Sequence, residues 1–154
     1  MGQQRRFALG LALAVGLGAC GPKSQASTVK PIAQGTVRDA TGMFDLKVGY
    51  ESRPDRQVEL VLAMNAVGTT EMDKVVIDVD VEGFEVTDGS AEWSGFVPPR
   101  QPQKHRVTLR ALDGEERPTA TVTVRRSVDS EVLFSQELAF TVSGSSVVAD
   151  PTDT

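Results

Sequence analysis

The sequence predicts an all-β fold, an antiparallel β-sandwich of about seven strands. Three observations carry this expectation. Apolar residues recur with period two along one run after another. Short stretches of turn-forming residues separate the runs. No segment shows the capped i, i+3, i+4, i+7 apolar stripe of a long helix. Successive strand side chains point to opposite faces, so this alternation means one buried face and one wet face. That is the mark of antiparallel sheets rather than parallel ones.

The runs can be taken in order. Phe44, Leu46, Val48 and Tyr50 alternate with Asp45, Lys47, Gly49 and Glu51. Val58, Leu60, Leu62, Met64 and Ala66 follow with the same period, and then Val75, Ile77, Val79 and Val81. At Gly83 the apolar parity slips to Phe84 and Val86, which predicts a bulge or a corner where a strand changes sheet. Val107, Leu109 and Ala111 form the next run, then Ala120, Val122 and Val124. The last contains Val132, Phe134, Leu138, Phe140 and Val142 on one parity, interrupted by Gln136. The breaks hold turn chemistry: Arg53-Pro54-Asp55, Gly68-Thr69, Asp88-Gly89, Asp113-Gly114 and Val128-Asp129-Ser130. Pro98, Pro99 and Pro102 mark an extended loop lacking ladder donors.

The N-terminus carries a different signal. Arg5 and Arg6 precede an uncharged apolar stretch from Phe7 to Gly18. This is the length of a secretory h-region, and it is shorter than the roughly 20 apolar residues a spanning helix needs. The stretch ends in Leu17-Gly18-Ala19-Cys20, which resembles the lipobox of bacterial lipoproteins. That resemblance implies a signal peptide at 1–19, cleavage before Cys20, and a lipid anchor on Cys20 itself. Cys20 is the only cysteine, so no internal disulfide can form. Gly21 and Pro22 follow, where an Asp after the cysteine tends to mark inner-membrane retention. The resemblance therefore implies an outer-membrane lipoprotein facing the periplasm, with surface display as the alternative.

Cleavage would leave 135 of the 154 residues and remove two positive charges and no negative one, moving the formal charge from −5 to −7. An acidic chain of this kind argues against nucleic acid and anionic lipid head groups as partners. Residues 20–41 are polar and aperiodic. They read as the lipidated cysteine plus a flexible tether, with a reach of about 25 Å as a coil. Residues 42–143 form the expected β-sandwich domain, and 144–154 read as a disordered tail. From Val58 to Val142 the chain resembles the immunoglobulin-like or fibronectin-type modules of bacterial envelope proteins. Trp93-Ser94-Gly95-Phe96, the Pro/Gln-rich loop and the strand His105-Arg106-Val107-Thr108-Leu109 carry the likeness. The Cys…Trp…Cys spacing of antibody domains is absent.

Few residues suggest chemistry. Asp78-Val79-Asp80-Val81-Glu82-Gly83 opens like a calcium-binding EF-hand loop. The twelfth position, which should be Glu, is Gly89. On a strand, Asp78, Asp80 and Glu82 stand about 7 Å apart on one face, which makes them weak metal candidates and otherwise a solvated acidic face. His105 is the only histidine, and no Gly-x-Ser-x-Gly elbow or phosphate loop is present. No enzyme activity and no cofactor are expected. Arg100, Lys104, His105 and Arg106 form a basic stretch that could meet an acidic partner or serve solubility, and Arg125 and Arg126 form another. Trp93 is read either as a core cap or as an aromatic platform for a ligand. The expected role is a non-enzymatic binding or accessory module for an envelope protein or glycan. The alternative is a structural or adhesive surface lipoprotein.

Overall fold

Alternation between apolar and polar residues becomes two stacked sheets in the computed structural model, which describes residues 28–152. Among these residues there are ten strands and no helix. The strands are β1 (Lys30–Arg38), β2 (Met43–Arg53), β3 (Gln57–Ala66), β4 (Val75–Glu82), β5 (Phe84–Gly89), β6 (Glu92–Gly95), β7 (Gln103–Ala111), β8 (Thr119–Arg126), β9 (Val132–Ser143) and β10 (Ser146–Ala149). The first sheet runs β1-β2-β3-β7-β5 and the second β10-β9-β8-β4-β6, and the paired strands are antiparallel.

The inward parity is the one the sequence marks. Phe44, Leu46, Val58, Leu60, Leu62, Met64, Leu109, Val122, Leu138 and Phe140 are fully buried between the sheets, and no described polar or charged residue joins them. Each such side chain contributes about 1.5–3 kcal/mol of transfer free energy. Phe140 on β9 meets Tyr50 on β2 and Phe84 on β5 edge-on, so the aromatic cluster clasps one sheet to the other.

Four features correct the expectation from sequence. Ten strands replace about seven, because β1, β6 and β10 left little alternation to read. Each lies at a sheet edge and buries few side chains: Val37 is the one fully buried residue of β1, and Val147 that of β10. Residues 30–38, assigned to the tether, are β1, fixed by a ladder along β2. Part of the expected tail, Ser146–Ala149, pairs with β9, and the Thr152 hydroxyl donates to the Ile32 carbonyl at 2.8 Å. The sandwich therefore extends beyond residues 42–143 at both ends. Finally, β9 carries a bulge. Val124 faces Phe134 while Arg125 faces Val132, so Leu133 is the extra residue. The bulge turns Leu133 toward the core and leaves Val132 56% exposed, against its expected inward parity.

Gly83 is a corner of the kind the sequence suggests. It adopts φ +76°, and there the chain leaves β4 of the second sheet and enters β5 of the first. Loops 39–42, 67–74, 96–102 and 127–131 gather at one end of the sandwich. The β2–β3 turn, the 112–118 loop and the β9–β10 turn gather at the other.

Candidate functional site

The outward face of the first sheet contains an apolar stripe that its period-two pattern would leave wet. Val61 lies on the outward parity of β3, yet it is only 6% exposed. Its neighbours explain this. Across the ladders Val61 stands opposite Gly49 on β2 and Arg106 on β7, and Gly49 stands opposite Pro31 on β1. A Cβ on Gly49 would lie 2.5 Å from Val29 Cγ1 and 3.1 Å from the Lys30 carbonyl oxygen. Glycine is thus required for the chain entering β1 to lie against the sheet face. Val29, Pro31, Gly49, Val61 and Ala63 floor a groove of about 260 Å³.

Cations rim this groove. Lys47 and Lys104 stand opposite Ala63 from its two sides, on β2 and β7, and both are exposed. Arg106 adds a third and is ion-paired to Glu59, which also accepts from Arg53 at 3.1 Å. The carboxylate of Glu59 is therefore shared between two guanidiniums, while the lysine pair stays open to solvent. An apolar floor under a positive rim suits a ligand that joins an apolar body to an anionic group.

The candidate residues read from sequence do not form one surface. Lys104 points outward with Arg106, whereas His105 takes the inward parity of β7, and its Nε2 donates to the Ser90 carbonyl at 2.6 Å. His105 thereby ties β7 to the turn between β5 and β6. Arg100 lies in the 96–102 loop with φ +61°, away from the groove floor. The expected patch of Arg100, Lys104 and His105 is thus split, because adjacent strand residues face opposite ways. Trp93 sits on the edge strand β6, opposite Ile77, half-buried and packed against the core. Arg126 pairs with Asp129 at 2.8 Å and with Glu131, closing the β8–β9 hairpin.

Asp78, Asp80 and Glu82 do share the outward face of β4, opposite Thr123, Thr121 and Thr119 of β8. Asp78 is ion-paired to Arg125. Among the described residues, no group of three or more His, Cys, Asp or Glu side chains is placed to hold a metal ion. A larger hollow of about 470 Å³ opens near Arg56, Arg110 and Gly144. Its cations are already engaged: Arg110 with Glu85, and Arg56 with the carbonyls of Leu112 at 2.7 Å and Glu115 at 3.0 Å.

Cys20, the lipobox and residues 20–27 of the tether lie outside the described residues. Among the described residues no helix is long and apolar enough to cross a membrane. Compared with protein-family models and with curated proteins, the chain matches none. The groove was missed from sequence because Val61 reads as a wet-face residue. Gly49 inside a strand was the one available signal, since strand glycine often marks a close backbone approach.

Proposed function

We propose that this protein is a lipid-anchored envelope lipoprotein whose immunoglobulin-like sandwich binds another envelope component without catalysing a reaction. The observation that carries the binding role is the groove on the first sheet, with its floor at Gly49 and Val61 and its rim at Lys47, Lys104 and Arg106. The reading of the address rests on Leu17-Gly18-Ala19-Cys20 and the apolar segment before it. An anchor at Cys20 would hold the domain beside a membrane, since two or more acyl chains bind stably where one does not.

The immunoglobulin-like reading is supported by two antiparallel sheets with chain crossings between them at 67–74 and Gly83. The Gly21-Pro22 pair after the cysteine favours the outer membrane. The test is expression of the full chain and its Cys20→Ala variant, followed by membrane fractionation and mass spectrometry of the N-terminus. The expected result is a lipidated mature form starting at Cys20, and an uncut, unlipidated precursor in the variant. Membrane-bound mature protein from Cys20→Ala would overturn the anchor. Mild crosslinking in intact cells with pulldown of the lipidated form then tests the binding role, with one dominant envelope partner or glycan expected.

A further inference from the structure

We infer that the groove between Val29 and Lys104 is a docking site for anionic phospholipid of the membrane that carries the anchor. The inference rests on the lipoprotein reading for the nearness of that membrane, and on three observations for the site. The first is where the chain enters. Val29 is itself part of the groove, and the Thr28 hydroxyl donates to Glu51 on the same face of β2. Eight chain steps separate Cys20 from Thr28, a span of at most about 28 Å. A fully extended tether reaching residue 41 would span up to about 75 Å, so the shorter link holds the start of β1, where the groove lies, closer to the bilayer surface.

The second observation is charge. The second sheet turns outward Asp78, Asp80, Glu82, Glu92 and Glu137, with Arg125 as their one cationic strand neighbour among the described residues. On the first sheet Arg53, Arg106 and Arg110 pair with Glu51, Glu59 and Glu85, Asp45 and Asp88 lie outside those pairs, and Lys47 and Lys104 offset them beside the groove. The acidic net charge expected to exclude anionic lipid is therefore unevenly placed. An anionic surface repels the second sheet and attracts the lysine rim, which orients the domain. The third observation is the floor. Val29, Pro31 and Ala63 offer apolar surface under the lysines, matching the glycerol and upper acyl region beneath a phosphate.

The test uses the chain from Gly21 to Thr154, which contains every described strand and the whole described core, so that no acyl chain contributes to binding. Vesicles of phosphatidylcholine alone are compared with vesicles holding about 30% phosphatidylglycerol, by co-sedimentation at low salt and at about 0.5 M NaCl. Binding is expected to the mixed vesicles and not to the neutral ones, and to vanish at high salt. The double variant Lys47→Gln/Lys104→Gln should bind about thirtyfold more weakly. Arg100→Gln, away from the groove, should bind as the parent does. Thermal melting of each variant shows that the fold is kept. Equal binding to both vesicle types, binding to neither, or a lysine variant that binds as the parent does would overturn the inference. The lipid-anchor reading fails separately, in the Cys20→Ala fractionation.

Discussion

Phe140 is the residue whose removal tests the packing most directly. Its ring is fully buried, with centroids 6.2 Å from Tyr50 at 85° and 5.4 Å from Phe84 at 83°. Phe140 belongs to the second sheet and both partners to the first, so the ring bridges the layers. Truncating a buried Phe to Ala costs about 3–5 kcal/mol from lost transfer free energy and the cavity left behind. The two edge-on aromatic pairs, each worth about 0.5–1.5 kcal/mol beyond burial, place Phe140→Ala in the upper part of that range, at about 4–5 kcal/mol. Against a total stability of about 5–15 kcal/mol, this is about a quarter or more of the whole. Phe140→Leu keeps most of the volume and loses the aromatic geometry, for about 1–2 kcal/mol. Urea unfolding of the mature chain, followed by circular dichroism, gives both values from the shift in midpoint at constant slope. A double-mutant cycle with Phe84→Leu should return about 0.5–1.5 kcal/mol of coupling. An Ala variant destabilised by less than about 2 kcal/mol, or no difference between Ala and Leu, would refute the claim that this ring clasps the sheets.

Three further perturbations address the loops and turns. Gly89 has φ +77°, and a Cβ there would stand 2.6 Å from the Arg106 carbonyl oxygen, so Gly89→Ala should cost about 1–3 kcal/mol in the same urea assay. Arg56 donates to the carbonyls of Leu112 and Glu115, joining the β2–β3 turn to the 112–118 loop. Arg56→Ala should cost about 1–3 kcal/mol, and Arg56→Lys, which keeps the charge without the fork, should recover only part of it. Burial pulls the Asp39 carboxyl upward, but hydrogen bonds from the Thr41 hydroxyl and from the amides of Thr41 and Gly42, with the charge of Arg126, outweigh it and hold the pKa below the usual carboxylate value. A depressed folded pKa contributes stability above the unfolded value near pH 4, and that stability disappears as the pH falls through the folded value. Melting temperatures of the parent and Asp39→Ala should therefore differ at pH 6 and converge below about pH 4; a gap that stays constant would contradict this origin.

The sequence by itself determined the fold class and the core, and the residues show why. Strands that are half buried over their whole length, such as β2 with Phe44, Leu46, Val48 and Tyr50, must alternate, because each ladder step reverses the side chain. The slip at Gly83 was legible for the same reason: a change of buried parity requires a corner or a bulge. Edge strands obey a weaker rule. β1 and β10 are held mainly by backbone pairing to β2 and β9, and backbone pairing leaves little trace in side-chain type. Only the tertiary structure decided the candidate site. Lys47 and Lys104 are 57 positions apart in the chain, and Ala63 on the intervening strand makes them neighbours across the face. Register between distant strands set the groove, whereas the short basic stretch from Lys104 to Arg106 was divided by the period of the strand that contains it, and Arg100 was left in the loop before it.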